Sequence, residues 1–329
     1  MKNSALFITT LLVVFIFGCS SDETQTPNDP PETNVLISEF TYSEVSPLTQ
    51  ETSVSKNYLL ENNKIMSSTH FAQSFNPGVD DVMTNDVYSY ANDQISEITT
   101  FDNGSVIRNI KYIYDSNGDL TEYINRFNNL NTQQSFYDKH TLTHTADTVF
   151  VERRRSTDGI NYNTLVSDLK MVLDLNDNRT YFQTFNYINI NDQIEIKSNS
   201  YDANNNMVSQ ETSTIYPDGS TFFSNLQTYT YNLNHKNTLH YINENTFGRK
   251  NIMLLYHLEL DVLNNFNPKM LSPNTMIDFS LTSPGSITFP IDINSTTNDE
   301  GYATFDEYTA YLEDGTSIAS KFTIEYVFE

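Results

Sequence analysis

The chain has 329 residues and carries Lys+Arg 18 against Asp+Glu 42, a formal charge of −24. Such a balance repels phosphate backbones and anionic headgroups, which argues against nucleic acid as a partner. Cysteine occurs once, so no intramolecular disulfide framework is available.

In chain order, Lys2 precedes an almost unbroken apolar run from Ala5 to Phe17. Thirteen helical residues span only about 20 Å, short of the roughly 30 Å hydrocarbon core. A charged start, a short apolar run and a small residue make the pattern of a secretory signal. A stop-transfer helix wants basic residues after the run, whereas Asp22 and Glu23 follow here. Ile16-Phe17-Gly18-Cys19 resembles a bacterial lipobox, with Phe17 bulkier than usual at its position. The resemblance implies that residues 1–18 are a lipoprotein signal peptide and that the Cys19 thiol is lipidated. The alternative is an ordinary secretory signal with an incidental cysteine. Cys19-Ser20-Ser21-Asp22-Glu23 also resembles the export signal of surface lipoproteins. It implies an outer-membrane, lipid-anchored, cell-surface protein, with the periplasmic face as the alternative. Residues 19–33 form the lipidated cysteine and a polar tether, Pro-rich from Gln25 to Thr33.

The remainder, 34–329, is expected to be a single β-rich domain. Tyr 21 and Phe 21 without Trp, many asparagines and few alanines favour strands over a helical bundle. No later run is long and apolar enough to cross a membrane as a helix. Ile110 to Ile124, "IKYIYDSNGDLTEYI", reads as two strands around Asp115-Ser116-Asn117-Gly118, a type I turn followed by a left-handed glycine and a bulge. That register sets Tyr114 opposite Leu120 and places Ile110, Tyr112, Tyr114, Leu120 and Ile124 on one face, with Ile113 and Tyr123 as apolar exceptions on the other. Asn103-Gly104, Asp158-Gly159, Asp218-Gly219 and Asp314-Gly315 repeat the turn signal. Looser copies start at Tyr58, Leu173, Tyr201 and Tyr229, where Asn stands in for Gly because it tolerates the left-handed region.

Tyr114-Asp115 with Asn117-Gly118 and Leu120, and more loosely Tyr201-Asp202 with Asn204 and Met207, resemble the YD-type repeats of RHS-like bacterial proteins and of β-rich lipoproteins of unknown function. The fold class expected is all-β: an antiparallel meander of hairpins forming a large curved sheet or open barrel. Gly248 to Phe279 interrupts the pattern, and a short helix or covered connection within 251–266 is expected to plug one side of the sheet. Asp306 to Glu329 resembles the closing hairpin of such lipoproteins.

Chemistry is sparse. His140 and His144 have the spacing of two ligands on a helix, but their Thr- and Val-rich context reads as strand, which separates them by about 13 Å. Asp115 to Asp119 brushes against a Ca²⁺ loop, yet Leu120 and Arg126 stand where Gly and Glu are required. Arg153-Arg154-Arg155 either grips an anion or is an alternating strand end paired with acidic neighbours. There is no nucleophile elbow, phosphate loop or His-Glu-x-x-His, so no catalytic residue, metal or cofactor is assigned.

The leading reading is a non-enzymatic, lipid-anchored binding or structural module whose sheet displays Tyr, Asn, Thr and Asp. Its partners are the membrane, through the anchor, and a glycan or protein ligand. The alternatives are a periplasm-facing carrier cupping an apolar ligand and a carboxylate-based glycan hydrolase. Replacing Cys19 by Ala should release the protein from the membrane fraction. Unchanged fractionation, or a mature N-terminus elsewhere by mass spectrometry, would remove the anchor.

Overall fold

The structure, a computed structural model, describes residues 35–46, 51–73, 81–129, 134–186, 194–255, 272–282, 291–312 and 315–329. Residues 1–34, which hold the expected signal peptide, Cys19 and the expected tether, lie outside these residues. In chain order the strands are β1 (Ile37–Val45), β2 (Thr52–Glu61), β3 (Lys64–Ala72), β4 (Val82–Ala91), β5 (Gln94–Asp102) and β6 (Ser105–Tyr114). They continue as β7 (Leu120–Asn129), β8 (Gln134–Thr145), β9 (Thr148–Ser156), β10 (Thr164–Leu173), β11 (Arg179–Asn186) and β12 (Ile194–Tyr201). After β13 (Met207–Ile215) and β14 (Thr221–Lys236) come the helices α1 (Thr238–Phe247) and α2 (Arg249–Leu255), then β15 (Asn274–Thr282), β16 (Ile291–Thr297), β17 (Ala303–Tyr311) and β18 (Ile318–Phe328).

The turns explain why the strands end where they do. Asp115 accepts the backbone N–H groups of Asn117 at 2.8 Å and Asp119 at 3.1 Å, and Gly118 takes φ +83°. The same Asx device recurs at Asp174, which holds the N–H groups of Asn176 and Asn178, and at Asp202, which holds those of Asn204 and Asn206. In these two turns Asp177 and Asn205 occupy the left-handed position in place of glycine. Asn62-Asn63 and Asn92-Asp93 make two-residue turns with both φ values positive, the conformation whose twist matches paired strands. Asparagine does substitute for glycine, as the looser copies implied.

Among the described residues each strand pairs antiparallel with its sequence neighbour, save at the β15–β16 step where no paired register is described, and β18 returns to pair with β1. Eighteen strands therefore form a nearly closed barrel, with the slightest junction among the described residues between β15 and β16. Bulges sit beside the turns, for example between Ile113 and Tyr114, Ser89 and Tyr90, and Ser200 and Tyr201. Each adds a residue on one strand and increases the local twist, which curls the sheet.

The bulge also corrects one expectation. Tyr114 faces Leu120 as read, but beyond the bulge Tyr112 pairs with Tyr123 and Lys111 with Ile124. Tyr123 is thus buried inside and Ile124 points outward, the reverse of the expected faces. One inserted residue inverts the parity of everything after it.

A second correction concerns the run from Tyr229, which is not a hairpin. β14 continues to Lys236, Asn237 caps α1 by accepting the His240 N–H at 3.1 Å, and Gly248 ends it at φ +79°. The helix expected within 251–266 begins earlier, as α1 and α2 over 238–255; residues 256–271 lie outside the described set. Within the stretch read as irregular, β15 is a strand.

The helices plug one end of the barrel and touch its wall on several sides. Thr246 accepts the Ile65 N–H at 3.1 Å, Thr238 donates to the Ala303 carbonyl at 2.7 Å, and Lys250 pairs with Asp119 at 2.5 Å. On another side, Arg179, fully buried, donates to the Met253 carbonyl at 3.3 Å near the end of α2. Ile65, Ile95, Leu120, Met171 and Met207 from the wall close on Ile242, Met253 and Leu254 from the plug, and none is more than 1% exposed. Each such side chain contributes about 2 kcal/mol through burial. The chain enters at this end: Asn63 Oδ1 accepts the Ile37 N–H, and the Glu329 N–H donates to the Leu36 carbonyl.

Gly301 takes φ +81°, and a Cβ there would meet the Asn234 carbonyl oxygen at 3.0 Å, whereas Gly104 at φ +78° has open space around it. Gly104→Ala should cost about 1 kcal/mol for the left-handed backbone alone. Gly301→Ala should cost more, about 2–3 kcal/mol, because backbone must move as well. Urea titration of both variants checks the order.

Candidate binding site in the barrel

Side chains alternate between an outer and an inner wall. The outer wall carries charged side chains around the barrel, Glu39, Glu97, Lys111, Glu152, Lys170, Glu211, Asp292 and Glu325, interspersed with exposed Leu59, Val87, Ile113, Phe150, Ile277 and Val327. Cross-strand pairs tie it together, among them Lys139 with Glu122 at 2.6 Å, Lys321 with Glu307 at 2.7 Å and Thr228 with Ser280 at 2.8 Å. The tyrosines expected on display lie mostly on the inner wall instead. Tyr42, Tyr58, Tyr88, Tyr112, Tyr123 and Tyr326 are each at most 5% exposed. An aromatic ring buries more area than any other side chain, so the wide interior claims it.

The inner wall changes character along the barrel axis. Next to the plug it is aliphatic and at mid-height it is tyrosine; beyond that, charged and hydroxylated side chains mix with Ile98, Ile110, Phe127 and Phe136. Burial raises Tyr58, Tyr88, Tyr112 and Tyr326 well above the usual phenol range, so these hydroxyls stay protonated. Beyond them, Lys56, His70, Asp86 and Arg108 line a cavity of about 280 Å³ on the stretch of wall from β2 to β6. Asp86 is held there by Ser68 Oγ at 2.9 Å and Thr100 Oγ1 at 2.6 Å, while Arg108 Nε donates to Asn125 Oδ1 at 3.1 Å.

Further round the same wall lies a buried ion cluster. Asp138 has no exposed side-chain surface and accepts from Arg155 Nε at 2.7 Å, from Arg155 Nη2 at 2.8 Å and from Arg153. Burial alone would raise this carboxyl, but the hydrogen bonds from Arg155 and Arg153 outweigh it and hold it below the usual range. Arg154 points outward and pairs with Glu152 at 2.6 Å. The arginine triplet is therefore an alternating strand end with acidic partners, and its two inward members share one aspartate.

His140 and His144 lie on β8, as read, and do not converge. Burial, with Arg153 nearby, pushes His140 down to about 3, so it is a neutral imidazole packed on Tyr123. His144 Nε2 lies 2.8 Å from the Leu120 carbonyl. Among the described residues no group of three or more His, Cys, Asp or Glu is placed to hold a metal ion. Asp115 to Asp119 forms the hairpin turn.

A second depression, about 400 Å³, lies beside the plug between α1 and β15. Its His240 Nε2 sits 3.2 Å from Glu244 Oε2, and Lys236 stacks over the Tyr302 ring at 4.4 Å. The sequence reading missed this site because α1 itself was read as strand; Leu239, Ile242, Thr246 and Phe247, all buried, carry a helical period that could have found it. On the outer wall Glu152 and Asp168 face each other across β9 and β10 beside Phe150. The hydrogen bond from Arg154 holds Glu152 below the usual range. Asp115, Asp138, Asp158, Asp174, Asp218 and Glu244 also lie low, so none of these seven carboxyls keeps a proton at neutral pH as a glycosidase acid must.

No protein-family model and no curated protein matches this chain. Among solved structures, a porin-like protein of Bacteroides uniformis aligns with 14% identity and a TM-score of 0.38, over 89% of this chain and 96% of its own. A porin-like protein of Bacteroides vulgatus aligns with 12% identity and a TM-score of 0.41, over 89% and 98%. A TcdB2-TccC3 structure aligns over 58% of this chain and 12% of its own, with 10% identity and a TM-score of 0.22. At these scores the likenesses decide nothing about this chain, whose reading rests on its own residues.

Asp138→Asn should destabilise the barrel by about 3 kcal/mol, since it leaves two inward guanidinium groups without their shared charge. The folded-state carboxyl is depressed, so its contribution is present above the unfolded pKa near 3.9 and is lost as pH falls through the lower folded value. Denaturation midpoints of wild type and variant should therefore converge in acid and differ most at neutral pH.

Proposed function

We propose that this chain is a lipid-anchored, non-enzymatic binding module of the bacterial cell envelope, held at the outer membrane by the lipidated Cys19 and facing the cell surface. The observation that carries the reading is the outer wall. A membrane-spanning barrel turns an apolar band outward, and an outward Lys or Arg at the bilayer midplane costs about 2–4 kcal/mol. Here Lys111, Lys139 and Lys170 stand beside Glu97, Glu122 and Glu152 on mid-strand outward positions. Such a wall belongs in water, and a water-borne barrel needs a separate anchor to stay at a membrane.

The plug supports the same reading. Among the described residues, helices and side chains fill one end of the barrel, which supports a closed-bottomed vessel over a conduit. The cavity nearer the other rim sets Lys56, His70, Asp86 and Arg108 among Tyr58, Ile98, Ile107 and Ile110, which suits a ligand with both polar and non-polar faces.

Two measurements test this. The Cys19→Ala protein should partition into the aqueous phase on detergent phase separation, and wild type added to planar bilayers should produce no stepwise conductance. Detergent-phase retention of the variant, or discrete conductance steps, would show a barrel that enters the bilayer. Digestion by protease on intact cells tests the surface location.

A further inference from the structure

We infer that the inner-wall cavity between β2 and β6 binds a small hydroxylated anion, of the class of carboxylate-bearing monosaccharides. The inference rests on the binding-module reading and names its ligand class.

The chain has only 18 Lys and Arg against 42 acids, so a cation-rich pocket is not what random placement delivers. Yet Lys56 from β2 and Arg108 from β6 enter one cavity from opposite sides, with His70 between them. The one acid lining that cavity, Asp86, is already engaged by the hydroxyls of Ser68 and Thr100. The balance inside is therefore positive on a protein whose surface is negative, and low-dielectric walls concentrate that field. Arg108 is oriented as well as charged: its Nε donates to Asn125 Oδ1, which fixes the guanidinium plane before any ligand arrives.

Size and lining select the rest of the ligand. At about 280 Å³ the cavity lies at the lower edge of small-molecule sites, which suits one sugar ring rather than an oligosaccharide. Ser68, Thr84 and Thr100 line it with hydroxyls, and Ile98 and Ile110 give the non-polar floor on which a pyranose face can rest. A group rich in hydroxyls satisfies such a site better than an apolar one does.

The test uses the full chain carrying Cys19→Ala and isothermal titration calorimetry with three probes. Glucuronate carries both charge and hydroxyls, glucose the hydroxyls alone, and acetate the charge alone. Glucuronate should bind at least tenfold more tightly than either, and its affinity should fall as NaCl is raised. Arg108→Gln and Lys56→Gln should each weaken glucuronate binding tenfold or more, whereas Arg126→Gln, a change on the outer wall of β7, should leave it unchanged. Circular dichroism checks that the variants fold, and Lys56→Gln carries the test if Arg108→Gln does not. The assignment is overturned if glucuronate gives no heat up to about 10 mM, if glucose or acetate binds equally well, or if Arg126→Gln weakens binding as much as the inner-wall changes. Any of these leaves the detergent-partition and conductance results standing, so the two readings fail separately.

Discussion

Filling the barrel's plugged end is the interaction on which the rest depends. A sheet of eighteen strands encloses more space than wall side chains alone can occupy, and porins of that size hold a water channel. Here the connection between β14 and β15 turns inward as α1 and α2, and Met253, Leu254 and Leu255 are fully buried. Without that insertion Ile65, Ile95, Leu120 and Met207 would face a void instead of a core. The polar partners are placed to match. Thr246, Thr238 and Arg179 bond across to backbone groups, so the plug is fixed in register and not merely packed.

Closure follows from small local events repeated along the chain. An aspartate that gathers two backbone N–H groups, a left-handed residue and a bulge recur from turn to turn. Each bulge adds twist of the same hand, and the sum brings β18 back to β1. The asparagine ladder from Asn178 to Asn205 and from Asn206 to Asn274, each at 3.0 Å, then links successive turns round the plugged rim.

The graded inner wall joins fold and function. Aliphatic groups by the plug provide the cohesion; tyrosines at mid-height fill width while keeping neutral hydroxyls; Lys56, His70, Asp86 and Arg108 line the cavity beyond them. The Asp138 cluster belongs to the structural part of this gradient, because its three ionic groups satisfy one another. The Lys56–Arg108 cavity belongs to the other part.

Taken alone, the amino-acid order determined the strand class, most turn positions outside the run from Tyr229, and the antiparallel meander, because these are set within a few residues by alternation, by Asx and glycine chemistry and by β-leaning aromatics. It also carried a lipobox-like stretch ending at Cys19, a short contiguous signal. It left the direction of each face open, since Tyr123 and Ile124 exchange places when one residue bulges, and parity after a bulge is settled only by what the strand packs against. It hid α1, where Leu239 and Ile242 look like one more strand until the barrel interior offers them a place to pack. The site was invisible for the same reason: Lys56, His70, Asp86 and Arg108 are spread over fifty-three positions of sequence, and only closure of the wall turns them toward one cavity.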